Sequence, residues 1–177
     1  MNESQLKRQL NLLLECQENE VVEFKEAKNQ FDFDKVGKYF SALSNEANLR
    51  NKEYAWLIFG IDDKEHKVVG SKFLIDKNEV NNLKIKVAES IDGRHTFFDI
   101  HIINLPEGRV VMCQIPAAPK GIPVAYKGHY YGRAGESLIP LSLQKMKVSR
   151  MKMRLLNLSF LRKKVLSGKS LTHLQFT

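Results

Sequence analysis

Tyr54-Ala55-Trp56-Leu57-Ile58-Phe59-Gly60-Ile61 is the most apolar stretch of the chain and carries no charge. It is short, rich in aromatic and β-branched residues, and does not alternate. A strand with one wet face would alternate with period two, so this one belongs at the centre of a sheet, covered on both sides. The remaining amphipathic segments have to provide that cover.

Ser4 caps a first helix with Leu6, Leu10, Leu13 and Leu14 on one face. Val21 to Glu26 alternates and predicts a strand. Asp32 or Asp34 opens a second helix striped by Val36, Tyr39, Phe40 and Leu43, and the polar run Asn45 to Lys52 predicts a loop. After Ile61 the chain turns at Asp62-Asp63 into a short strand near Lys67–Val69. A third helix follows over about 78–91, then strands near 96–103 and 109–115, and a hairpin over 124–131. We read one α+β domain, a mixed β-sheet with flanking helices, over residues 1–140. A basic amphipathic helix occupies 141–177.

Charge is spread unevenly. Residues 1–136 hold 19 basic and 20 acidic side chains, whereas residues 137–177 hold nine basic and none acidic, so the net charge of +8 resides in the C-terminal segment. That asymmetry suits an anionic partner, nucleic acid or a membrane surface; the plain alternative is a solvated basic face. No apolar run reaches the roughly 18 residues of a membrane span, and the N-terminus has no apolar leader, so we expect a cytoplasmic protein without membrane insertion. Cys16 and Cys113 lack CxxC or Cys/His spacing; they read as reduced core residues and offer no zinc site.

Three groups of residues carry candidate chemistry. On the first strand Val22 and Phe24 face one way while Glu23 and Lys25 face the other, side by side on an open face. Glu18 lies just before them, and Asp62 and Asp63 close the Tyr54–Ile61 strand; if the two strands pair, a third carboxylate reaches the same place. Glu18, Glu23 and Asp62 are then candidate ligands for Mg²⁺ or Mn²⁺ in a phosphodiesterase, with Lys25 orienting water or stabilising the transition state. The same residues fit a surface strand with a Glu–Lys pair worth ~0–1 kcal/mol. Second, Tyr126, Lys127, His129, Tyr130, Tyr131 and Arg133 interleave rings with cations, a pattern that stacks on bases and neutralises phosphates, though alternate tyrosines equally suit core positions. Third, Lys152, Arg154, Arg162, Lys163 and Lys164 flank an apolar stripe of Met151, Leu155, Leu158, Leu161 and Val165. Such a helix can lie along phosphates, on an anionic membrane, or against a partner helix, including that of a homodimer. Ser167-Gly168-Lys169-Ser170 imitates the end of a phosphate-binding loop, but Lys163 stands where that loop needs glycine.

Glu18–Lys25 (ENEVVEFK), Phe40–Asn45 (FSALSN), Leu57–Asp63 (LIFGIDD) and Pro123–Gly135 (PVAYKGHYYGRAG) occur in the order of four blocks of the Schlafen AlbA-like family, which the chain resembles over roughly residues 10–140. The resemblance implies a DNA-binding domain of a bacterial transcriptional regulator or helicase-related protein. On that reading DNA or RNA is met by Lys25, Lys127, Tyr130, Tyr131, Arg133, Lys152, Arg154, Arg162, Lys163 and Lys164. Animal members cleave RNA with two glutamates and an aspartate, which fall by position on Glu18, Glu23 and Asp62, so a metal-dependent ribonuclease is the alternative; an ATP-binding or helicase-related regulatory domain, or a dimerisation module, is the weaker one. Two departures stand out. Glu46–Lys52 replaces the family's Gly-Gly with a longer polar segment, and the zinc site of the animal nucleases has no ligands here.

Overall fold

The computed structural model describes residues 1–16 and 19–166; the side chains of 154–157 and 159–166 fall outside that description. Glu3–Cys16 forms α1, Val22–Lys25 β1, Phe33–Leu49 α2, Tyr54–Phe59 β2, Lys77–Ser90 α3, Asp99–Leu105 β3 and Gly108–Pro116 β4. Ala125–Tyr126, His129–Ala134 and Ser137–Pro140 are β5, β6 and β7, and Leu143–Leu166 is α4.

The first four strands make one sheet in the order β1-β2-β4-β3, and β5-β6-β7 make a small second one. As its apolarity requires, β2 is internal. It runs parallel to β1, with Glu23 beside Leu57 and Lys25 beside Phe59, and antiparallel to β4. Parallel neighbours need a crossover, and α2 is that crossover. One face of the sheet packs Val22, Phe24, Trp56 and Ile58 against Leu6, Leu10 and Leu13 of α1. The other packs Leu57, Phe59, Val111 and Cys113 against Val36, Phe40 and Leu43 of α2 and Leu83 and Val87 of α3. Gly60 ends β2 with φ +95°, and a Cβ there would sit 2.6 Å from the Arg109 carbonyl, so the close approach of β2 to the neighbouring chain depends on glycine.

Several expectations are corrected. The polar run Asn45–Lys52 is not a loop at its start: α2 continues to Leu49, because its polar side chains find partners far away in sequence. Asn45 Nδ2 donates to the carbonyls of Val124 and Tyr131 while its Oδ1 accepts from Val124 N at 2.8 Å. Asn48 bonds Ser149 of α4, and Ser44 Oγ donates to Pro116 O. This face of α2 carries the small sheet. Tyr126 lies over Gly37, where a Cβ would come within 2.0 Å of its ring. The strand near Lys67–Val69 reduces to a single bridge, Ile61 to Val68. Cys16 is exposed at the end of α1, whereas Cys113 is buried in β4. In α4, Met151 and Leu158 are exposed, so these members of the apolar stripe do not pack on the body. The side chains of Leu155, Leu161 and Val165 lie outside that description, and Gly168 lies outside the described residues. No helix among the described residues is long and apolar enough to cross a membrane.

Candidate functional site

The alternation of β1 sends Glu23 and Lys25 to the α2 side of the sheet, as the sequence pattern demands. That face is not open. α2 and β6 close over it, leaving Glu23 only 2% exposed. Arg133 reaches in from β6, fully buried, and its Nη1 pairs with Glu23 Oε2. Lys25 Nζ lies 2.9 Å from Glu23 Oε1 and 2.9 Å from Asp63 Oδ2. Tyr39 of α2 completes the group. Its hydroxyl hydrogen-bonds Glu23, and its ring lies between Lys25 Nζ at 5.8 Å and the Arg133 guanidinium at 6.0 Å.

The electrostatics follow from burial. Desolvation and the adjacent Glu23 charge push the Tyr39 hydroxyl up to about 12, so it stays protonated and donates. Burial alone would lower Lys25, but Glu23 and Asp63 together outweigh it and raise its pKa. One carboxylate is thus shared by two cations and a hydroxyl. Arg133 Nη2 is left buried without a hydrogen-bond partner among the described residues.

Of the carboxylates singled out from the sequence, Glu23 and Asp62 are described, and they make different contacts. Asp62 turns back on its own turn, accepting from Lys64 N at 2.9 Å and Glu65 N at 2.6 Å, and these backbone donors hold its carboxyl below its usual range. Asp63, not Asp62, reaches Lys25, although both border the same shallow depression with Glu26 and Phe31. Glu18 lies outside the described residues. Among the described residues no three His, Cys, Asp or Glu side chains gather closely enough to hold a metal ion. Glu23, already engaged by Arg133, Lys25 and Tyr39, does not fit a ligand role for Mg²⁺ or Mn²⁺ in this arrangement.

The candidate phosphate contacts divide in the same way. Lys127 is exposed, 3.1 Å from Asp34, whose carboxyl is held well below its usual range by Lys38, Lys127 and the Tyr126 hydroxyl. Tyr130 is exposed and Tyr131 half-buried. Arg133 is occupied by Glu23, and its side chain reaches no solvent. Lys152 is also occupied. Its ammonium donates to Asn48 O, to Leu49 O at 2.8 Å and to Asn51 Oδ1 at 2.9 Å, capping the carbonyl end of α2, where a cation is favoured. Lys145 pairs with Glu46 and donates to Arg133 O at 2.5 Å. Docking of α4 therefore uses Lys145, Ser149 and Lys152, and the neighbouring turns leave Lys147 and Arg150 exposed. Sequence reasoning did not single out those two. Their signal is a position off the 145–149–152 face, readable only once that face is known. The side chains of Arg154, Arg162, Lys163 and Lys164 lie outside the described residues.

Residues 18–142 match the family model described as Schlafen, AlbA_2. Among solved structures, the DIP2311 protein of Corynebacterium diphtheriae superposes with a TM-score of 0.57 at 19% identity, covering 84% of this chain. The chain spans 29% of that protein's length, and the likeness is one of fold. The N-terminal domain of a protein related to the ATP-dependent DNA helicase RecG, from Nitrosomonas europaea, gives a TM-score of 0.49 at 20% identity, covering 77% of this chain and 91% of that one. No curated protein matches the chain.

Proposed function

The chain belongs to the Schlafen AlbA_2 family, and from that premise we propose that it is a nucleic-acid-binding domain whose phosphate contacts are made chiefly by α4. One observation carries the reading: α4 belongs to a segment without acids, and it is keyed to the body by Lys145, Ser149 and Lys152 so that Lys147 and Arg150 stand in solvent. A firmly held cationic row on a near-neutral body is suited to a polyanion. Lys127, paired with Asp34, and Tyr130 on the small sheet add a further exposed cation and a ring. In this reading the domain serves a bacterial regulator working in the cytoplasm.

The test is fluorescence anisotropy of labelled DNA and RNA between 50 and 200 mM salt. A contact set of about six phosphates loses on the order of a thousandfold in affinity across that range. Lys147→Glu with Arg150→Glu removes about two units from the log–log salt slope. Binding without a salt slope, or a slope untouched by the double substitution, removes this reading. The metal-dependent ribonuclease reading has less behind it, since Glu23 is neutralised by its own neighbours.

A further inference from the structure

A cavity of about 510 Å³ opens between the 27–33 loop, the 71–75 loop and α3, away from the charge cluster but sharing the Phe31 wall with the depression beside Lys25. That volume lies in the range of small-molecule sites. Its floor is aromatic: Phe31 and Phe73 stand 6.4 Å apart at 65°, both backed by Phe59. The pair therefore offers a ring face and a ring edge rather than a flat apolar patch. Lys72 and Lys86, which line the cavity, are exposed and have no ion pair among the described residues, and Asn29 and Asn82 line it with them. The one carboxylate there, Glu79, is turned to the Ile75 N–H at 2.6 Å.

The cavity is held in shape. Arg109 donates to the carbonyls of Ser71 at 3.0 Å, Phe73 at 2.7 Å, and Leu74. Leu74 is thereby fixed at φ +55°, a left-handed conformation that a side-chain-bearing residue adopts only when its surroundings impose it. Ser71 Oγ donates to Ala27 O at 2.5 Å, and Lys72 N to Lys28 O at 2.8 Å, clipping the two loops together.

A pocket with aromatic walls, amide edges and a cationic lip matches a planar ring that hydrogen-bonds and carries a phosphate. We propose that it takes one unpaired nucleotide of a bound strand, with the base against Phe31 and Phe73 and its phosphate at Lys72 and Lys86. This rests on the nucleic-acid reading above and adds that the target is single-stranded, because a base inside a duplex stack cannot enter.

The full chain is titrated with a labelled single strand of about 15 nucleotides and with its duplex at one salt concentration. Wild type binds the single strand at least about tenfold more tightly, the scale of one base stacked on an aromatic ring. Asn82→Trp fills the mouth from an exposed position on α3, and Lys72→Glu with Lys86→Glu reverses the lip; both bring single-strand affinity down to the duplex level, with unchanged circular dichroism. Equal binding of the two forms, or single-strand affinity untouched by Asn82→Trp, overturns the proposal. So does displacement of the strand by free AMP at comparable affinity, which would make this a mononucleotide site. Salt-dependent duplex binding without single-strand preference sinks this inference alone, whereas no binding of either form sinks the parent reading with it.

Discussion

Breaking the Glu23–Arg133 pair should cost unequally from its two ends. The side chains are 2% and 0% exposed, so removing either partner leaves a charge in a dry interior, an error worth about 3–5 kcal/mol. After Arg133→Met, Glu23 still has Lys25 at 2.9 Å and the Tyr39 hydroxyl, which places the loss near ~3 kcal/mol. After Glu23→Leu, Arg133 keeps its Nε contact to Gly135 O at 3.3 Å and the Tyr39 ring at 6.0 Å but no ion-pair partner among the described residues, and the loss approaches ~5 kcal/mol. For a chain of this size these are falls in Tm of roughly 6–20 °C. The double variant loses the mismatch, because apolar replacement of a whole buried pair is commonly near neutral, so it should lie well below the sum of the single losses. Urea unfolding of the four proteins measures the cycle. Single losses under about 1 kcal/mol, or an additive double, would refute the claim that this pair is buried and mutually dependent.

Three further outcomes follow from the same geometry. Tyr39 has its hydroxyl raised from 10.0 to about 12, so the unfolded chain gives up that proton first and stability is lost as pH rises from about 10 to about 12. Tyr39→Phe should flatten that part of an alkaline denaturation profile, and an unchanged profile would contradict the assignment. Glu23→Gln should leave any Mn²⁺-dependent cleavage of structured RNA as it is in wild type; Glu23-dependent cleavage, with the fold verified by circular dichroism, would restore the ribonuclease reading. If two copies of the chain pair through α4, Met151 and Leu158, exposed and seven residues apart, form the seam. Light scattering should therefore show Met151→Glu with Leu158→Glu as a monomer at concentrations where the wild type associates, and a monomeric wild type would end that idea.

Much of the scaffold was legible because it depends on local pattern. The uncharged run from Tyr54 declared an internal strand, and the alternation from Val21 declared which residues share a face. What the pattern could not declare is what lies over a face. Glu23 and Lys25 looked exposed because their cover, Tyr39 and Arg133, comes from 16 and 110 positions beyond Glu23 in the chain. The end of α2 misled for a related reason. Asn45, Glu46 and Asn48 resemble loop residues until Val124, Tyr131, Arg133 and Ser149 are known to meet them. Lys152 illustrates the same limit, since a helix-capping lysine and a phosphate-binding lysine are identical as letters. The cavity beside α3 is not legible at all: Phe31, Phe33 and Phe73 are ordinary core candidates in sequence, and only the fold, with the Arg109 clamp, reveals a hollow among them.

The keying of α4 into the body has a consequence for how such a chain diversifies. Positions 145, 149 and 152 answer to Glu46, Asn48 and the carbonyls that end α2, so they are free to change only in concert with those partners. Positions 147 and 150 are exposed and have no ion pair among the described residues. Relatives that acquire new targets can therefore rewrite the outer half of one helix while inheriting its inner half unaltered, and a tail transplanted without its inner half would arrive without an address.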